Sequence, residues 1–281
     1  MELTYKLRDL AQQLDADYVG IAPVDRFDNA PPGKRPEDLL HGARSVVVFG
    51  VVINKGVMKA NDIAFQGLRH AIYPYMMYGY SQLNNHLAAI AHHASRMLEK
   101  EGHVTLPVPP SGPSDGLELM GVFSNRHAAV AAGLGQFGWN ALLITPRVGS
   151  RLRLVSLITQ AELRPDPMYS GEAICDVDVC KHACVRRCPT GALSMGDGAG
   201  VTIGGQEFSY GTTDVWKCRL GVGGIAKGAM GRTQVPVPDE VTPSLYLELS
   251  KKEEVWQRME FQAIGRASYC GRCIEVCPVG R

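Results

Sequence analysis

The sequence predicts an α+β protein in two parts, a layered unit over residues 1–163 and a cysteine-rich module over residues 164–281. Two observations lead there. Segments of helical period alternate with short β-branched runs up to about residue 163, the pattern of a layered α/β or α+β unit. Beyond that point lie all eight cysteines, and residues 1–174 have none.

Each element has its own signal. Leu3, Leu7, Leu10 and Leu14 recur at helical spacing, so the chain is expected to open with an amphipathic helix. Residues 18–22 are a short strand candidate, and 29–37 (NAPPGKRPE) a turn-rich loop. The run SVVVFGVVI at 45–53 is β-branched and unbroken, as expected of a strand buried on both faces. Ser81 is expected to cap a second helix that turns Leu83, Leu87, Ile90, Ala94 and Leu98 inward and ends at Gly102. Residues 103–108 read as a strand, PPSGPSDG as a loop and 127–132 as a short helix stopped at Gly133. Residues 141–145 and 152–158 read as two strands joined around 146–149. RPDPMYSG at 164–171 is the expected linker into the module. There, VTIGGQEFSY sets Gly204-Gly205 between two β-prone runs, a hairpin signal. Residues 219–235 are glycine-rich and are expected to form a flexible loop over a cluster or a site, and 253–264 a helix leading into the last cysteines.

The cysteine spacing is that of a protein holding two iron–sulfur clusters. The first group reads Cys175-x4-Cys180-x3-Cys184-x3-Cys188-Pro189, Cys218 stands alone, and the last group reads Cys270-x2-Cys273-x3-Cys277-Pro278. Each group closes on Cys-Pro, as bacterial ferredoxin runs do, and in those the closing cysteine ligates the other cluster. The wiring then crosses. Cys175, Cys180 and Cys184 take Cys277 as their fourth partner, while Cys188 joins Cys218, Cys270 and Cys273. Structural zinc would use paired ligands two to four residues apart, and disulfides would need an oxidising compartment. Two Cys-Pro closures in interleaved groups suit neither.

Composition sets the broad class. Apolar residues make up 45% and charged residues 20%, the balance of a globular protein, and the formal net charge is +1. That charge lends no support to nucleic-acid binding, which usually leaves a basic excess. The N-terminal segment lacks an unbroken apolar stretch and a twin-arginine pair, and no run approaches the ~20 apolar residues that span a bilayer. No membrane association is expected, and the cytoplasm is the expected compartment, where thiols stay reduced.

Gly133, Gly135 and Gly138 spell G-x-G-x-x-G, a weak signal by itself. A dinucleotide cradle follows a strand and is followed some 20 residues later by an acid; here the glycines follow a helix candidate and the later positions are Arg151, Leu152 and Arg153. A dinucleotide site is therefore disfavoured. The glycines still call for unusual backbone angles or close approach by a bulky planar ligand.

Taken together, AGLGQFGWNALLITPRVGSRLRL at 132–154, CPTGAL at 188–193, the lone Cys218 and CGRCIEVCP at 270–278 resemble the epoxyqueuosine reductases. They are also similar to the C-terminal half of the corrinoid-dependent reductive dehalogenases. The resemblance implies a nitroreductase-like α+β layer followed by a ferredoxin-like module, in which two 4Fe–4S clusters feed electrons to a cobalamin. It implies that Gly133, Gly135, Gly138 and Asn140 open the cobalamin-facing wall, with Arg151 as a further contact to cofactor phosphate or carboxamide groups. The catalytic candidates are Glu118, the acid nearest before the glycine-rich segment, then His127 and Tyr75. The tyrosine belongs to the dense run Tyr73, Tyr75, Tyr78 and Tyr80. The histidines at 86, 92 and 93 are given no ligand role. The family's helical-repeat part, used in tRNA recognition, does not occur in these 281 residues.

The expected function is a reductase that passes single electrons through two clusters to a corrinoid and reduces a small-molecule substrate. The expected donor is a ferredoxin or flavodoxin, and no nucleic-acid partner is expected. The alternatives are an electron-transfer protein without substrate chemistry, and a flavin in place of the corrinoid.

Overall fold

The computed structural model describes residues 2–112, 119–261 and 268–280, with side chains throughout except at 257–261. Helix α1 (Glu2–Gln13) leads to strand β1 (Tyr18–Pro23), a 3-10 turn (Val24–Phe27) and the one-turn helix α2 (Pro36–Leu39). Strand β2 (Ser45–Val52) and helix α3 (Lys55–Phe65) follow, then a second 3-10 turn (Arg69–Ile72) and a π-helical stretch (Tyr75–Ser81) that runs straight into α4 (Gln82–Lys100). The unit continues through β3 (Thr105–Pro107), α5 (Asn125–Ala131), β4 (Gln136–Phe137), β5 (Leu143–Ile144) and β6 (Leu152–Thr159).

The sheet runs β1-β2-β6-β3, and every neighbouring pair is antiparallel. Alternation along β2 sorts its side chains to two faces. Val46 and Val48 pack with Ile158 against α5 and against Phe27 and Phe123. Val47, Phe49 and Val51 pack with Val155 and Leu157 against Leu7 and Ala11 of α1 and Leu87, Ile90, Ala94 and Leu98 of α4. With helices on both faces the strand carries no polar side chain from Val46 to Val52, as its unbroken run requires.

The module opens with α6 (Val177–Cys180) and α7 (Ala183–Arg186), then the hairpin β7 (Ala199–Ile203) and β8 (Gln206–Tyr210). Both hairpin-turn glycines have positive φ, +56° at Gly204 and +75° at Gly205, which a two-residue turn of this kind needs. Helices α8 (Val215–Val222), α9 (Pro243–Phe261) and α10 (Arg272–Glu275) complete it. A third apolar cluster joins the two parts. Ile53, Val57, Met58, Ile72, Tyr75 and Met76 of the layered unit enclose Tyr269 and touch Ile274 of the module.

Four expectations need correction. Ser81 is not an N-cap: its backbone is helical (φ −62°, ψ −57°), because the π-helical stretch already supplies the preceding turn. The strand expected over 141–145 is confined to 143–144 and pairs with 136–137. The segment 164–171 is no loose linker. Asp166 accepts two bonds from Arg8 at 2.7 and 2.8 Å and one from the Ile21 N–H at 2.9 Å, and its carbonyl accepts from Arg26 at 2.8 Å.

The glycine-rich stretch 219–235 is pinned. Ile225, Ala226 and Ala229 are buried, and the Gln234 amide donates to the carbonyls of Ala229 and Gly231 at 2.9 and 2.8 Å. The carboxylate of Glu253 accepts from the N–H groups of Arg232 and Thr233, both at 3.0 Å. Glycine here allows strands of loop to touch, as at Gly231, where a Cβ would lie 1.8 Å from the Gly224 carbonyl oxygen. Side chains from outside the loop satisfy its backbone, which composition does not announce.

Candidate functional site

The thiols gather where the module meets the layered unit. Burial raises the pKa of Cys175, against the Trp139 N–H that bonds its sulfur, and Cys180 and Cys277 add to the rise. Burial pushes Cys184 up to about 11, with Cys175, Cys180 and Cys277 contributing. Cys218 is pushed up to about 11 by burial and then by Cys188. Cys270 reaches about 12 by burial, with Cys218 and Cys188 adding, and Cys273 rises well above its ordinary value through burial and then Cys270, Cys218 and Cys188. Thiols near enough to feel one another's charge therefore fall mostly into two sets, with Cys184 and Cys273 in reach of each other across them. One is Cys175, Cys180, Cys184 and Cys277; the other is Cys188, Cys218, Cys270 and Cys273. Among the described residues no three Cys, His, Asp or Glu side chains converge tightly enough to grip one metal ion.

Backbone donors point at the sulfurs. The Trp139 N–H lies 3.3 Å from Cys175 Sγ, the Val185 N–H bonds Cys184, and the Arg272 N–H bonds Cys270. One-turn helices α7 and α10 supply the last two: the Arg272 N–H opens α10, where a helix start leaves N–H groups without intrahelical partners, and the Val185 N–H also donates to the His182 carbonyl at 3.0 Å. The Arg272 guanidinium, half-way along Cys270-x2-Cys273, is bonded to Asp62 of α3 at 2.8 Å and to Glu275. It fixes the second cysteine turn to the layered unit.

The residues assigned to a planar cofactor are placed as follows. A Cβ at Gly133 (φ +75°) would lie 2.0 Å from the Pro167 carbonyl oxygen, one at Gly135 2.1 Å from that of Ile144, and one at Gly138 2.2 Å from the Ile144 side chain. The space that glycine leaves is thus filled by the chain itself. Asn140 is buried, donates to Ser150 Oγ at 3.0 Å and to the Cys273 carbonyl at 3.4 Å, and accepts from the Leu142 N–H at 3.2 Å. Arg151 donates to the Ile53 carbonyl.

Of the catalytic candidates, Glu118 lies outside the described residues. His127 packs between Phe137 and Tyr210, with ring centroids 4.9 and 5.8 Å away, and its Nδ1 is 2.6 Å from Ser124 Oγ. Burial, and then the Arg126 charge, lowers its pKa to about 4, so the ring is neutral at neutral pH. Tyr75 is buried in the π-helical stretch, and its ring abuts Gly271, between Cys270 and Arg272. Burial raises its pKa well above the ordinary phenol, with Arg153 opposing and Cys270 and Cys273 reinforcing. The structure therefore brings Tyr75 to the second thiol set and leaves His127 over the β4–β8 side of the unit. Sequence reading missed Trp139, whose role rests on its main-chain N–H, and the Arg272–Asp62 pair, which spans too much sequence to be seen as a motif.

No family model matches the chain. An epoxyqueuosine reductase of Listeria monocytogenes is 40% identical over 80 residues, 28% of this chain and 19% of that protein. A tetrachloroethene reductive dehalogenase of Dehalobacter restrictus is 33% identical over 112 residues, 39% of this chain and 18% of that protein. The matches thus span less than two thirds of either relative. Among solved structures, a reductive dehalogenase described as supporting B12-dependent dehalogenation aligns over 90% of this chain and 34% of its own, with TM-score 0.57 and 20% identity. An epoxyqueuosine reductase bound to a tRNA-Tyr stem loop aligns over 99% of this chain and 65% of its own, with TM-score 0.51 and 17% identity.

The last of these overturns one expectation, that nucleic acid has no part here: a protein of this fold holds a tRNA stem loop. Net charge averages the whole surface and does not record where basic side chains gather, so a value of +1 does not exclude a local phosphate contact. In sequence and in fold alike, the chain is similar to the epoxyqueuosine reductases and the reductive dehalogenases.

Proposed function

We propose that this chain is an iron–sulfur oxidoreductase that holds two 4Fe–4S clusters and moves electrons through them one at a time. The observation that carries the reading is the meeting of thiols from both cysteine groups, with Cys184, Cys188 and Cys273 packed in one cluster and charge coupling among the thiols that falls mostly into two sets of four. Four thiolates are what each such cluster takes. Cys175, Cys180, Cys184 and Cys277 would hold the first, and Cys188, Cys218, Cys270 and Cys273 the second. When bound, the clusters supply reversible one-electron chemistry. The chain's own residues bury Cys184, half-bury the other thiols, and aim the N–H groups of Trp139, Val185 and Arg272 at three of the sulfurs. Such bonds and such burial are the levers that set a cluster's potential. A ferredoxin or flavodoxin in a reducing compartment would serve as donor.

The corrinoid implied by the resemblance fares differently. The residues assigned to it do not make a cradle: Gly133 and Gly135 abut the chain's own backbone and Gly138 the Ile144 side chain, both donors of Asn140 are taken within the chain, and Arg151 is bonded to Ile53. That observation favours a second reading, an electron-transfer protein whose final acceptor belongs to a partner.

Anaerobic reconstitution with iron and sulfide tests the main reading, which expects about eight irons per chain and a broad visible absorbance. Colourless protein carrying only zinc would sink it. Adding hydroxocobalamin or FMN to the reconstituted protein, followed by gel filtration, separates the two readings: retained cofactor supports the enzyme, and its loss supports the carrier. Restoring queuosine in a strain without its epoxyqueuosine reductase would identify tRNA as the substrate, in place of a small organic molecule.

A further inference from the structure

Residues 139 and 140 touch both thiol sets. The main-chain N–H of Trp139 donates to Cys175 Sγ at 3.3 Å, and the next side chain, Asn140, donates to the carbonyl of Cys273 at 3.4 Å. Cys175 belongs to the first set and Cys273 to the second. Each half of the pair is also fixed from behind. The Trp139 indole donates to the Ser194 carbonyl at 2.9 Å and meets the His182 ring edge-on at 5.1 Å. Gly211 closes on it from the module, where a Cβ would lie 2.0 Å from the Trp139 carbonyl oxygen. Asn140 is locked from the layered unit by Ser150 and by the Leu142 N–H.

The surrounding turn is built to deliver this pair. Gly135 and Gly138 let β4 approach Ile144 closely, and the turn between β4 and β5 is then closed by the Ala141 N–H on the Gly138 carbonyl at 2.9 Å. Ala141 has φ +58°, the left-handed region, which a non-glycine residue occupies at a cost and which clusters at functional positions. Arg126 donates to the Ala141 carbonyl and helps to hold it there. A turn held so tightly has a purpose beyond joining two strands of two residues each.

We propose that Trp139 and Asn140 are positioning residues that set both clusters against the layered unit, Trp139 the first and Asn140 the second. The glycine-rich segment is accordingly a clamp for the redox centres rather than a ligand wall. Trp139 holds a ligating sulfur directly through its amide. Asn140 acts on the second set through the backbone of its Cys270–Cys273 turn. The inference rests on the proposed function, because it supposes clusters in the two thiol sets.

The test is crossed selectivity in the anaerobically reconstituted full chain. Trp139→Phe keeps the main-chain N–H but loses the indole bond that steadies it. Asn140→Ala and Asn140→Asp remove the bond to Cys273, and the aspartate keeps an acceptor for Leu142. The two cluster signals in low-temperature electron paramagnetic resonance are assigned with Cys180→Ser and Cys218→Ser. Potentials are then read by redox titration, and lability as the rate of iron loss to a chelator. Trp139→Phe should lower the potential of the first cluster alone. Both Asn140 variants should speed iron loss from the second cluster about tenfold or more and weaken the magnetic interaction between the reduced clusters. Variants that match wild type on all three readouts, or that alter both clusters equally, overturn the clamp while leaving the function standing. Wild-type protein that takes up no iron overturns both. If Asn140→Ala fails to fold, Asn140→Asp and Ser150→Ala, which slackens Asn140 from behind, carry the same expectation in weaker form. Retention of the wild-type second-cluster signal in each of them overturns it.

Discussion

His127 lies between two aromatic rings with Nδ1 on the Ser124 hydroxyl and Arg126 beside it. Its folded pKa of about 4 stands below the unfolded value of 6.5. The unfolded chain therefore binds the extra proton between those values, and stability that is full above pH 6.5 falls as the pH drops toward 4. The window is worth on the order of 3 kcal/mol. His127→Gln should flatten it, which urea melts at pH 7 and pH 4.5 would reveal; an unchanged acid slope would show that other groups carry the effect. The eight cysteines were legible in the sequence as a set, because their spacing places them in two short turns and one lone position, while which of them share a cluster belongs to the proposal. Trp139 was not, since a main-chain amide carries no residue-type signal. Glycine has the opposite fault: Gly133, Gly135 and Gly138 announce an absent side chain but not whether chain or ligand fills the space.

At the scale of elements, the β4–β5 turn and the 219–235 stretch show what composition leaves out. Gly135→Ala would press a methyl group to within 2.1 Å of the Ile144 carbonyl oxygen. Backbone cannot yield as a side chain can, so the expected cost is about 2–4 kcal/mol, read as a lowered melting temperature of the protein before any cofactor is added. A wild-type melt in that variant would return the glycines to the ligand. For the second stretch, Glu253→Ala strands two N–H groups that now share a carboxylate, and the expected loss is about 2–3 kcal/mol with faster trypsin cleavage at Lys227 or Arg232. Glu253→Gln, which keeps an acceptor, should restore most of the resistance. Helices α1 and α4 and strand β2 were readable because their apolar period repeats over many residues. Two-residue strands and π-helical stretches have no such repeat, so β4, β5 and the Tyr75–Ser81 segment emerge only with the packing around them.

For the molecule as a whole, the layered unit and the module are tied at several points. Asp166 binds Arg8 and Ile21, Arg272 binds Asp62, and Gly280 packs on Val148, where a Cβ would come within 2.4 Å of the backbone. Neither part is a passive support for the other. On the proposed function, Cys277→Ala removes a ligand from the set whose other three members lie about a hundred residues earlier, so iron should fall from about eight to about four per chain while the Cys270–Cys273 site keeps its signal. Loss confined instead to the second signal would show that the groups do not cross. The alternation of helix and strand was enough to foresee the layered unit, but not these ties, because contacts between residues far apart in sequence leave no periodic trace.

Crossed sets also act on the unfolded chain. On the proposed function, a cluster held by Cys175 and Cys277 would be a cross-link that closes a loop of roughly a hundred residues, and the second set would close another that overlaps it. Two overlapping rings cannot be completed one after the other along the chain as it is synthesised, since both wait for the final cysteine turn. On the proposed function, iron would therefore complete its sites only after the final cysteine turn has met the first group. Once in place, it removes much of the disorder to which the module would otherwise return. Stripping the metal would then act like cutting two staples at once, releasing the module as a unit.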